Sequence, residues 1–172
     1  MAPSLFRSAS ARALAIAAPI VFAALPAAAE LSNADSVAIY FRLESCTVAA
    51  DRVGGVLFAN EIEQAEYDAI VADMVARGFA TGDPTTPGAV TLTPDFCGPA
   101  TEGADPRRSL VQMLRFHGCA LSRADTPNLL VPSGFTPDSA GPIIGAMIAA
   151  GEATPDGDVL RLSEEVCANG VE

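Results

Sequence analysis

The chain has one histidine, His117, in the stretch His117-Gly118-Cys119, with Met113 one helical turn earlier. Imidazole, thiol and thioether at that spacing are a donor set that soft metals such as copper favour. A lone histidine has no second imidazole with which to share a metal or relay a proton. Cys119 also has a stronger claim on it, as a disulfide partner. We therefore expect His117 to be a structural or surface residue. Other chemistry-bearing patterns are thin. No Cys-x-x-Cys-His run attaches haem, and no phosphate loop or Gly-x-Ser-x-Gly elbow occurs. Asp156-Gly157-Asp158 invites calcium but lacks the spaced ligands and distal Glu of an EF-hand; turn chemistry accounts for it. Glu164-Glu165 could form an acid pair, but carboxylates beside a helix start are favoured there by the helix dipole. No cofactor is implied, and no catalytic or metal-binding residue is assigned.

The remaining reactive side chains are Cys46, Cys97, Cys119 and Cys167. Four cysteines can pair in three ways. A redox role would favour a close Cys-x-x-Cys pair, which is absent. The choice among pairings comes from a wider pattern. Shifted by 73, the sequence falls on itself: Arg42 on Arg115, Cys46 on Cys119, Leu57 on Leu130, Ile70 on Ile143, Met74 on Met147, Gly78 on Gly151 and Asp83 on Asp156. Beyond that turn the shift becomes 70, with Leu92 on Leu162 and Cys97 on Cys167. An internal duplication predicts one disulfide per copy, Cys46–Cys97 and Cys119–Cys167. We divide the chain into a first unit over 30–98, a linker over 99–105 and a second unit over 106–172.

Each copy reads alike. Ser32 or Asn33, and Asp105-Pro106 in the second copy, open a first helix with an apolar stripe that ends near a cysteine. The next stretch, with Gly54-Gly55 or Pro127, predicts a short helix or turn that carries Val56-Leu57-Phe58 (Leu129-Leu130-Val131) into the core. A clearer helix follows, opened in the second copy by Thr136-Pro137-Asp138. It stops at Gly78 or Gly151. A β-hairpin then leads to the last cysteine; Asp156-Gly157 is a strong turn signal. The fold class is α+β.

Helix, short helix, helix and hairpin, with the repeated phrase Gly-x-Ala-Thr and its Leu-ending strand, resemble the winged-helix arrangement, twice in tandem. The resemblance implies a wing beside a potential DNA-reading helix. That helix carries Asp68 and Asp73 against Arg77 in the first copy. In the second, 141–151 carry no charge at all. Nucleic-acid binding has no electrostatic footing here.

Residues 1–29 are a different text. Arg7 and Arg12 precede the apolar run 14–25, Pro26 breaks it, and Ala27-Ala28-Ala29 meets the small-residue cleavage rule. The run is short for a membrane span, which takes about 20 residues. We read a cleaved secretory signal and a periplasmic or secreted protein without a later membrane span. Neither arginine would survive cleavage, which leaves 8 Arg, no Lys and 21 acids, a charge of −13. Such a chain suits basic partners. The uncharged second-copy helix offers Pro142, Ile143, Ile144, Met147 and Ile148 either to the first unit or to another protein. The expected function is a non-enzymatic interaction module, or an accessory subunit of a membrane complex in the cell envelope. The alternatives are a small periplasmic ligand- or metal-binding protein, with the groove between units as the site, or a small hydrolase.

Overall fold

A computed structural model describes residues 31–83 and 89–171. The proposed signal over 1–29 lies outside the described residues. The architecture is mixed α+β, with eight α-helices and two three-stranded antiparallel sheets among the described residues.

In the first half, α1 (Asn33–Leu43) leads to β1 (Thr47–Val48), a 3-10 turn (Ala50–Arg52), α2 (Val53–Asn60), α3 (Gln64–Ala76), β2 (Ala80–Thr81), β3 (Val90–Leu92) and α4 (Pro94–Cys97). The second half repeats this as α5 (Pro106–Phe116), β4 (Ala120–Ser122), α6 (Thr126–Leu129), α7 (Pro137–Ala149), β5 (Ala153–Asp156), β6 (Val159–Leu162) and α8 (Glu164–Asn169). The shift of 73 carries both ends of α1 onto α5 and both ends of α3 onto α7. The sheets have the same order, β1-β3-β2 and β4-β6-β5.

Local chemistry sets the boundaries. The Ser32 hydroxyl accepts from the Asp35 amide while the Asp35 carboxylate accepts from the Ser32 amide, a capping box at the start of α1. Asp105 caps α5, with Pro106 at its first position. Helices α3 and α7 stop at Gly78 and Gly151, both left-handed (φ 74° and 75°). The next amide reaches back five residues, Phe79 to Met74 and Glu152 to Met147. This is the bond pattern of a glycine-terminated helix. Helices α1 and α5 end the same way, through Cys46 to Phe41 and Cys119 to Leu114. There the left-handed residue is Ser45 in one copy and Gly118 in the other.

Each half closes around its own core. Phe41, Val56, Met74, Phe79 and Phe96 fill the first; Leu110, Leu114, Leu129 and Met147 fill the second. The disulfides are Cys46–Cys97 and Cys119–Cys167, each with Cα atoms 5.6 Å apart. Arg42 donates twice to the Phe96 carbonyl, and Arg115 to the Cys167 and Ala168 carbonyls. Both arginines thus satisfy backbone oxygens of the short helix after the hairpin.

Two expectations need correction. The stretch after each first helix begins with a strand before it reaches the expected short helix, so each sheet has three strands. Phe58 and Val131, the last residue of each run, do not enter the core. They are 88% and 61% exposed, because Val56 sets the buried side of α2 and Leu129 and Leu130 fill the second core.

The halves exchange apolar side chains. Phe116 of the second packs on the first core, its ring 5.3 Å from Phe79 and 4.9 Å from Phe96. Leu31 packs on the second core. Arg77 lies over Phe79 and donates to the Arg115 carbonyl at 3.0 Å. Asp95 holds the junction by accepting from the Asp105 amide and from Arg108 at 2.8 Å.

Candidate functional site

The single histidine lies at this junction. His117 caps the end of α5, and its ring is mostly buried. Its Nδ1 donates to Asp35 Oδ2 of the first half at 2.9 Å. Its Nε2 stands 3.9 Å from Asp125 Oδ2. Both carboxylates are buried. Each has a serine beside it: Ser32 donates to Asp35 at 2.6 Å, and Ser122 donates to Asp125.

The bond to Asp35 raises the His117 pKa, burial opposes it, and the charges of Asp35 and Asp125 add to the rise. Burial pulls Asp35 upward, but the hydrogen bonds from His117 and Ser32 outweigh it, leaving Asp35 below its usual value. The arrangement therefore favours an imidazolium between two carboxylates. It is poorly suited to general-base catalysis, because both nitrogens face anions and both serines donate to carboxylates rather than to the ring.

Sequence reasoning did not find Asp35 or Asp125. A signal for them exists. The shift of 73 maps Asp35, His117 and Asp125 onto Arg108, Glu44 and Arg52. Every sign is reversed, and Arg52 and Glu44 are again an ion pair, 3.1 Å apart.

A cleft of about 650 Å³ opens where the halves meet. Thr81, Thr91 and Thr93 of the first half line it, with Thr101 of the linker and Pro132 and Ser133 of the second half. The Cys46–Cys97 disulfide and Arg42 also line it. Partial burial lowers the Arg42 pKa to about 10 although Asp35 pulls the other way. It stays cationic at neutral pH. Gly98 sits at the closest approach: a Cβ there would stand 2.7 Å from the Ser133 carbonyl oxygen.

The five apolar residues singled out on α7 divide. Met147 is wholly buried in the second core, Ile143 and Ile144 pack partly against it, and Pro142 and Ile148 face solvent. Gly145, Ala146 and Ala149 extend the exposed uncharged side. Two recesses of about 390 and 250 Å³ flank it and share Arg123, Thr126 and Ile144.

Asp156 and Asp158 pair with Arg161 and Arg123 on the surface. Glu164 and Glu165 lie in the first turn of α8, behind the Ser163 cap. No group of three or more His, Cys, Asp or Glu is placed to hold a metal among the described residues. No described helix is long and apolar enough to cross a membrane. Two disulfides are compatible with an oxidising, extracytoplasmic compartment. No family model, curated protein or solved structure matches the chain.

Proposed function

We propose that the chain is an exported, non-enzymatic protein-binding module of the cell envelope, built from two tandem winged-helix-like units. The observation that carries this reading is the outer side of α7. Residues 141–151 hold no charge, in a chain with 21 acids, and Pro142, Gly145, Ala146, Ile148 and Ala149 reach solvent. A helix without a polar side wants a cover. The partner is a protein with an apolar anchor and a basic rim, suited to the acidic surround; a subunit of a membrane complex fits. The winged-helix reading draws support from the strand order, in which the strand after the first helix of each unit pairs with the last strand.

A photo-crosslinker at Ala146 in the native envelope tests this. One dominant adduct is expected from Ala146, absent from a crosslinker at Asp51 and lost when Ile148→Asp is added. Identical adduct patterns from both positions would overturn the proposal. The cleft between units, whose threonine and serine hydroxyls sit in a mostly apolar wall, favours a second reading, a small-ligand protein. A thermal shift with a small amphipathic compound, abolished by Gly98→Ala, would point there.

A further inference from the structure

The contact between the two halves is heterologous. One surface of the second unit, carrying Phe116, His117 and Asp125, seats on a different surface of the first, carrying Asp35, Phe79 and Phe96. Because the units are copies, each surface exists twice. Among the described residues, one of each is in use and one of each is uncovered.

The uncovered seating surface is on the first unit. Leu43 takes the place of Phe116 and is 73% exposed. The Glu44–Arg52 pair takes the place of His117–Asp125.

The uncovered receiving surface is on the second unit. Glu152 and Val166 take the places of Phe79 and Phe96. Where Phe116 fills the first unit, the second has an open recess of about 750 Å³, walled by Ala150, Gly151, Glu152 and Val166. Arg108 takes the place of Asp35. It lies outside the recess wall and already pairs with Asp95 across the chain's own junction, with part of its side chain left exposed.

The charges decide which occupant fits. Within the chain, the order across the contact is Asp35, His117, Asp125: negative, positive, negative. Across the two uncovered surfaces it would be Arg108, Glu44, Arg52: positive, negative, positive. Each inverted surface is complementary to the other, and the pairing would repeat the contact already made.

We propose that a second copy of this chain docks head to tail, Leu43 of one copy entering the recess walled by Arg107 and Glu152 of the next, with Glu44 turned toward the exposed part of Arg108. This goes beyond the α7 surface and does not depend on it. The recess is more polar than the Phe79–Phe96 seat, since Arg107 and Glu152 pair on its wall. The association is therefore weaker than the contact within the chain and grows with concentration. A heterologous contact that does not close makes open chains rather than a dimer.

Sedimentation velocity of the disulfide-intact protein, from micromolar to millimolar concentration, tests this. The wild type is expected to grow past the dimer and to shrink again in high salt. Leu43→Asp blocks one surface and Ala150→Trp the other; both sites are exposed, and unchanged melting confirms folding. Each variant alone should be monomeric. Mixed, they should form a one-to-one dimer and nothing larger, because one competent surface of each kind remains. A wild type that stays monomeric, or that stops at a dimer, overturns the proposal, as do variants that assemble like the wild type.

Discussion

His117→Ala removes the imidazole that joins the halves. The ring gives Asp35 one charged hydrogen bond at 2.9 Å and faces Asp125 at 3.9 Å. A hydrogen bond to a charged group is worth roughly 1.5–3 kcal/mol, and breaking a buried ion pair costs about 3–5 kcal/mol. The serine bonds to both carboxylates survive the substitution and limit the loss. The expected destabilisation is about 2–4 kcal/mol in weakly acidic buffer. Its pH dependence identifies the cause. The folded His117 pKa is raised, so its contribution is complete below the unfolded value of about 6.5 and is lost as pH rises through the folded value. Asp35 is lowered, so its contribution holds above about 3.9 and is lost as pH falls through its folded value. The bridge is thus strongest between about pH 4 and 6.5. The chain has no lysine and no other histidine, which leaves few groups to confuse the reading. Urea unfolding at about pH 5.5 and 9, disulfides intact, should show a larger penalty for His117→Ala at the lower pH. Asp35→Asn should be non-additive with it there. Equal penalties at both pH values would refute the bridge, and so would full additivity.

The left-handed helix ends make a matched pair. Ser45→Gly should stabilise by about 1 kcal/mol, because a serine at φ 59° occupies the place that Gly118 fills in the other copy. Gly151→Ala should cost about 1 kcal/mol from backbone strain alone, since nothing stands within 4 Å of the added Cβ. Thermal melts of both variants check the signs. Each disulfide closes about 50 residues, so replacing Cys46 and Cys97, or Cys119 and Cys167, by Ala should cost at most about 4 kcal/mol. Denaturant midpoints measure this; a pair whose loss leaves the midpoint unmoved would contradict the stapling role.

What the sequence made legible follows from the physics of each signal. The duplication fixed α1 on α5, α3 on α7 and the cysteine pairing, because caps, stops and disulfides depend on single residue types at single places. Strands β1 and β4 escaped notice. Two or three residues are too few to display alternation, and what holds them is pairing to β3 and β6, from far along the chain. Phe58 was misplaced because a short apolar run does not say which of its members faces in. Asp35 and Asp125 were hidden because they sit in different units, 90 residues apart, and one doubles as a capping-box carboxylate. Only the comparison of copies, sign against sign, could have raised them.

That comparison also shows where the copies were free to diverge. Positions answerable to their own unit kept their chemistry: Arg42 and Arg115 bond the same short helix, and Met74 and Met147 are both wholly buried. Positions answerable to the junction changed in pairs. Phe116 has buried neighbours and Leu43 has solvent; His117 faces Asp35, while Glu44 pairs with Arg52 of its own unit. A charge reversed alone would leave a buried carboxylate without its partner, at a cost of several kcal/mol. Reversal of all three together preserves complementarity at each step. The signs at Glu44, Arg52 and Arg108 also serve pairs within the chain, Glu44 with Arg52 and Arg108 with Asp95. Random drift of an exposed face gives no reason for a large apolar side chain at Leu43; a contact surface that must match another does.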